Sequence, residues 1–224
     1  MRQDFTANVT HELKTPLTSI SGYAELIENG MAEEKETRRF AGEIHRNAIR
    51  LIRLINDILQ LSELDTRETK LETERLNLYG LACTCLEMMK IHAEPHGISL
   101  YMEGGPAWIE GNRGMIEEVL YNLCSNAIRY NKENGRVDIH VEETPRGALL
   151  RVADTGIGIP KKHQEHIFER FYRVDKSRSK ERGGTGLGLA IVKHIVAEHH
   201  AKICLESEEG TGTAITIVFP KIND

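Results

Sequence analysis

The chain has 224 residues, 40% of them hydrophobic, with a formal charge of −5 and a pI near 6.1, a composition that supports one or two packed cores and excludes a disordered chain. The acidic balance offers no basic face for a phosphodiester backbone, so nucleic acid is not an expected partner. Cys83, Cys85, Cys124 and Cys204 form no CxxC pair and no zinc-like spacing with histidine, which points to reduced thiols in a reducing compartment, and no run reaches the length that crosses a bilayer.

Amphipathic helix starts directly after residue 4, without the pattern of a signal peptide. Phe5, Val9, Leu13, Leu17, Ile20, Ala24 and Ile27 recur at steps of three and four, which predicts a helix over residues 5–27. Asn29-Gly30 is a stop signal, and Phe40, Ile44, Ala48, Leu51, Ile58, Leu61 and Leu64 then predict a second, longer helix. Two such helices make an antiparallel hairpin that cannot cover its own apolar stripe. Pairing with a second copy into a four-helix bundle is the expected remedy, giving a homodimer through residues 1–66. Packing against the rest of the same chain is the alternative. Residues 67–71 are polar and lose the stripe, so they read as a linker before a second domain over 72–224.

In that second part, strands are expected at 72–78, 98–102 and 107–110, and helices at 79–93 and 113–130. Strands at 136–143 and 148–153 flank the turn Pro145-Arg146-Gly147, a helix follows at 187–199, and strands at 201–207 and 213–219 close the chain as a hairpin. The succession predicts an α+β sandwich, helices on one face of a mixed sheet. Residues 172–182 are charged and aperiodic, a candidate lid.

Four stretches carry chemistry. His11-Glu12-Leu13-Lys14-Thr15-Pro16-Leu17 puts an imidazole, a carboxylate, a hydroxyl and a proline within two turns of the first helix. Pro16 cannot donate to the carbonyl of Glu12, so a kink is expected there. Asn122 and Asn126 share one face of the 113–130 helix at i, i+4, and a carboxamide oxygen suits Mg²⁺. Capping of nearby backbone is the simpler use of the same asparagines. Asp154 ends a strand and leads into Thr155-Gly156-Ile157-Gly158, where a carboxylate can accept from an exocyclic amine while glycines let a flat ring approach. A glycine turn whose Asp satisfies local amides fits equally well. Gly183-Gly184-Thr185-Gly186-Leu187-Gly188-Leu189 opens the 187–199 helix, exposing N–H groups at the positive end of a helix dipole, a phosphate site that matches neither the Walker A nor the Rossmann spacing.

In this order the stretches resemble the histidine protein kinases of two-component signalling. The H box is His11 to Leu17, the N box Asn122 to Asn131, the G1 box Asp154 to Gly158, the F box Phe168-Glu169-Arg170-Phe171 and the G2 box Gly184 to Gly188. The resemblance implies a dimerisation and phosphoacceptor domain followed by a Bergerat-type ATP-binding domain. It also implies ATP and Mg²⁺ as cofactors, a response-regulator receiver domain as partner, and upstream sensor and membrane segments that place the chain on the cytoplasmic side. It implies that His11 accepts phosphate, that Glu12 orients it or takes its proton, and that Thr15 positions water in a second, phosphatase activity. The resemblance further implies that Asp154 reads adenine, that Asn126 holds Mg²⁺, and that Asn122, Arg129 and Tyr130 contact the phosphates and nearby groups. By the same resemblance Gly156 and Gly158 of the G1 turn bind the nucleotide, Gly184, Thr185, Gly186, Leu187 and Gly188 line the triphosphate, and Arg178 or Arg182 in the lid stabilises γ-phosphoryl charge. Phe168 and Phe171 anchor the lid rather than touch ATP. The Bergerat ATPases carry a water-activating glutamate where this chain has Asn122. A neutral amide is no base, which favours a kinase over an ATPase. A nucleotide-sensing scaffold with little transfer chemistry is the alternative.

Overall fold

A computed structural model describes residues 2–66, 72–175 and 184–222; the expected linker at 67–71 and both lid arginines, Arg178 and Arg182, lie outside them. Helix α1 (Arg2–Glu28) runs continuously through the buried Pro16. It ends on Gly30 at φ +64°, with Gly30 N–H donating to Ile27 and Met31 N–H to Leu26. That is the paired-bond cap that only a left-handed residue closes without strain. Helix α2 (Glu34–Thr66) returns antiparallel, and Tyr23 stacks on Phe40 at 5.0 Å across the turn.

The apolar residues of the hairpin divide between two surroundings. Leu54 and Leu61 are buried in one core with the second part of the chain, while Leu17, Ile52 and Leu59 stay 57%, 58% and 57% exposed. The hairpin therefore packs on its own chain along one stripe and leaves another uncovered.

Strand β1 (Glu74–Asn77) pairs antiparallel with β3 (Trp108–Gly111) as a separate two-stranded sheet. The main sheet has the order β2-β4-β5-β7-β6, built from β2 (Ser99–Gly104), β4 (Arg136–Thr144), β5 (Gly147–Asp154), β6 (Lys202–Glu208) and β7 (Gly212–Val218). It is mixed: β2 runs parallel to β4, and every other pair is antiparallel. Alternation sends Val137, Ile139, Val141, Leu150, Val152 and Ile217 into the core. There they share one cluster with buried residues of α3 (Leu78–Ala93), α4 (Arg113–Arg129) and α6 (Gly188–Glu198). A single-turn helix, α5 (Lys161–Gln164), follows Pro160. The helix-on-sheet arrangement agrees with the expected sandwich. Its register sets Asp154, at the end of β5, beside Thr213 of β7.

Candidate nucleotide and phosphoacceptor site

A cavity of about 490 Å³ opens between α4, the loop after β5 and the glycine loop before α6, with α2 on one side. That volume lies in the range of small-molecule sites. Asn122, Asn126, Arg129 and Tyr130 line it from the α4 side, Asp154 and Gly158 from the loop after β5, and Gly184, Thr185, Gly186 and Gly188 from the glycine loop. Gly156 and Leu187 do not line it. Gly156 is packed so closely that a Cβ would lie 2.3 Å from the Tyr130 carbonyl, and Leu187 is fully buried beneath the loop. Phe168 and Phe171 also stay off the cavity wall, and Phe171 packs against the core.

Asp154 is held by its own turn. Its Oδ1 accepts from Gly156 N–H at 2.8 Å and Thr213 N–H at 3.3 Å, which leaves Oδ2 free of those amides. Burial pushes its carboxyl up to about 6, against the pull of the two backbone N–H groups. The local amides that a plain glycine turn would satisfy are thus satisfied, and the carboxylate still faces a cavity.

On α4, Asn122 donates from Nδ2 to the Glu118 side chain at 2.6 Å and to the Glu118 carbonyl at 3.1 Å. At the loop before α6, Gly186 adopts φ +77°, and Phe171, itself at φ +64°, donates its N–H to the Gly186 carbonyl at 2.8 Å. This bond ties the end of the F box to the glycine loop. Among the described residues no side chain caps α6, whose N-terminal Gly188 lies on the cavity wall. Its first-turn N–H groups are suited to an anionic ligand.

His11 is exposed on α1 and does not reach the cavity wall. Glu12 beside it is engaged elsewhere: its Oε2 accepts from Arg173 at 2.8 Å and Arg50 at 3.3 Å. Residues at i, i+1 on a helix point apart, and the two arginines take the carboxylate on its own side. Thr15 donates its hydroxyl to the His11 carbonyl at 3.2 Å, the backbone bond that a helical threonine makes by default.

Several residues at this site had no part in the motif reading. Arg173, only 4% exposed, links Glu12 to the Thr185 carbonyl at 2.8 Å, and Thr185 donates its hydroxyl to Asp57 at 2.6 Å. Arg53, Asp57 and Glu118 line the cavity. A signal for some of them exists in α2, where Arg50, Arg53, Asp57 and Gln60 recur at alternating steps of three and four. That is a polar stripe at the period of a buried seam. Glu118 stands one turn before Asn122 on the same face.

Residues 1–67 match the family described as the His Kinase A (phospho-acceptor) domain, and residues 111–223 the family described as histidine kinase-, DNA gyrase B-, and HSP90-like ATPase. The chain is 40% identical over 223 residues, 98% of its length, to the sensor histidine kinase WalK of Bacillus subtilis, and 37% identical over 222 residues to the sensor protein kinase WalK of Staphylococcus aureus. It spans 36% and 54% of the length of those two relatives. Among solved structures, histidine kinase ThkA in complex with response regulator protein TrrA superposes with a TM-score of 0.79 at 26% identity, over 98% of this chain and 61% of that one. The helical hairpin, the helix-on-sheet sandwich and these matches together make the chain a member of the histidine kinase-, DNA gyrase B- and HSP90-like ATPase family, in the form of a sensor histidine kinase catalytic core.

Proposed function

We propose that the chain transfers the γ-phosphoryl group of ATP to His11 and then passes it to an aspartate of a response-regulator receiver domain. The observation that carries this reading is one cavity lined by Asp154, Asn126 and the glycine loop, with α2 of the His11 hairpin forming its side. Asp154 supplies an acceptor for the adenine amino group, and the glycine loop and α6 supply N–H donors for phosphates. Asn126, with Asn122 one turn earlier, has the hard oxygen donor that Mg²⁺ takes alongside phosphate and water ligands. Bound Mg²⁺ would neutralise charge on the phosphates. Arg129 and Tyr130 complete the phosphate side of the wall.

In the transfer a neutral ring nitrogen of His11 bonds to the γ-phosphorus, the bond to the leaving ADP oxygen breaks, and the proton on the other ring nitrogen is lost. Glu12 is the acceptor for that proton, so its pairing with Arg50 and Arg173 has to loosen first. Asn122 provides no base for water, which protects the phosphoryl group from hydrolysis. Release of Thr15 from the His11 carbonyl would let its hydroxyl orient water for dephosphorylating the regulator. ThkA, solved with TrrA, supports a response regulator as the partner class. The uncovered stripe with Leu17, Ile52 and Leu59 supports a homodimer through residues 1–66. Use of ATP and four free cysteines favour the cytoplasmic side of a membrane-attached protein.

Incubation with γ-labelled ATP and Mg²⁺ tests the reading. Acid-labile, base-stable label that disappears in His11→Ala is the expected result. Absence of label in the wild-type chain would reduce it to a nucleotide-binding scaffold.

A further inference from the structure

Asn122 and Glu118 stand one turn apart on α4, and both line the cavity. The Asn122 amide spends its nitrogen within the helix, donating to Glu118 Oε1 at 2.6 Å and to the Glu118 carbonyl at 3.1 Å. Its Oδ1 is the end left over. It lies toward the start of α6, where a Cβ on Gly188 would come within 2.4 Å of it.

A carboxamide has nearly the same shape either way round but opposite polarity at its two ends. With the nitrogen turned outward, Asn122 would aim N–H donors at an arriving cation. An ionised carboxylate only accepts, so Glu118 can pair with the nitrogen end and not with the oxygen end. Burial raises the Glu118 carboxyl above its ordinary range, the hydrogen bonds from Asn122 and Gln60 lower it, and the nearby Asp57 charge raises it further.

We propose that Glu118 is a positioning residue that holds the Asn122 amide with Oδ1 toward the cation and phosphates of Mg·ATP. This rests on the reading of the cavity as the Mg·ATP site. Glu118 also accepts from Gln60 of α2, so a role confined to docking the hairpin is the competing use, and the two uses separate by mutation.

The experiment measures binding of ATP to the full chain by calorimetry across a Mg²⁺ titration, in the wild type, Glu118→Ala, Glu118→Gln and Gln60→Ala. Glu118→Ala is expected to raise the Mg²⁺ needed for half-maximal binding about fivefold to twentyfold, the effect of losing one charge-assisted hydrogen bond, while binding of Mg²⁺-free ADP, which meets one negative charge fewer, is not weakened. Glu118→Gln keeps an acceptor for the Asn122 nitrogen and should recover most of the loss. Gln60→Ala should keep the wild-type Mg²⁺ dependence. Wild-type Mg²⁺ dependence in Glu118→Ala overturns the inference, as does a Glu118→Gln no better than Glu118→Ala. A Gln60→Ala that reproduces the Glu118→Ala defect assigns Glu118 to docking and overturns it too. A wild-type chain that binds no ATP at any Mg²⁺ concentration overturns the cavity reading itself, a result distinct from the other three.

Discussion

Asp154 is asked to be buried and to be charged, and the two demands oppose each other. Burial raises its carboxyl to about 6, above the unfolded value of 3.8. A group raised on folding lends stability that is fully present below its unfolded value and lost as pH rises through its folded one. The unliganded protein therefore gives up stability by ionising Asp154 between about pH 4 and 6. In the proposed function, adenine binding needs the opposite state. With Oδ1 occupied by Gly156 and Thr213, a proton would go on Oδ2, turning the free oxygen into a donor facing an amine donor. ADP affinity should accordingly fall about tenfold for each pH unit below 6. Asp154→Asn should bind roughly ten- to a hundredfold more weakly at pH 7.5, since a donor then faces a donor at every pH. Calorimetric titrations from pH 5 to 8 check both, with the variant correcting for titration of the nucleotide; a wild-type profile parallel to that of Asp154→Asn would refute the role.

At the scale of elements, His199 joins the end of α6 to the start of α4. Its Nδ1 faces the Ile195 carbonyl at 2.8 Å and so carries the proton, while Nε2 accepts from the N–H of Asn112 at 3.1 Å. Asn112 is itself the N-cap of α4, its side chain accepting from Met115 N–H. Only the neutral ring fits both bonds, and burial lowers the His199 pKa below its ordinary 6.5. The unfolded chain then binds the extra proton first, so this contribution is present above pH 6.5 and fades as pH falls toward the depressed folded value. His199→Gln should melt lower than wild type by about 2–4 °C at pH 7.5, and the gap should shrink toward pH 5.5. A constant gap in thermal melts across that range would rule the linkage out. None of this coupling was legible in the sequence, because it joins residues 87 apart through a buried ring. The same limit explains other omissions. The helical stripes of α1 and α2 and the Pro145-Arg146-Gly147 hairpin are local patterns and could be read directly. The pairing of β1 with β3, the parallel register of β2 on β4 and the single turn of α5 depend on distant partners or on too few residues for a period. The cavity wall divides the same way: Asp154, Asn126 and the glycine loop sit in local motifs, whereas Asp57 and Arg173 acquire meaning only when α2 and the segment after Phe171 meet.

That meeting decides how the whole molecule responds to nucleotide. Among the ties that hold the hairpin against the ATP-binding part are Arg173 to Glu12 and Thr185 to Asp57. Both draw on the wall that phosphates would occupy, since Arg173, Thr185 and Asp57 all line the cavity. Burial raises the Asp57 carboxyl, opposed by the Thr185 hydrogen bond and by Arg129 and Arg53. A triphosphate brought beside Asp57 and Glu118 meets like charge in a partly desolvated space, so the docked hairpin and the phosphates oppose each other, and the coupling is reciprocal. Asp57→Asn keeps an oxygen for the Thr185 hydroxyl while deleting the charge. One unit of repulsion removed at roughly 7 Å, with an effective dielectric constant of roughly 40, is worth about 1 kcal/mol. ATP should therefore bind about five- to tenfold more tightly to Asp57→Asn, and adenosine, which carries no phosphate, should bind with unchanged affinity. Parallel gains for ATP and adenosine would mean that the substitution opens the cavity rather than relieving charge, and unchanged ATP affinity would mean that Asp57 swings clear before phosphate arrives. With the charge conflict present, nucleotide binding itself weakens the hold of α2 on Thr185. In the proposed mechanism the same loosening would help free Glu12 from Arg173 beside the exposed His11.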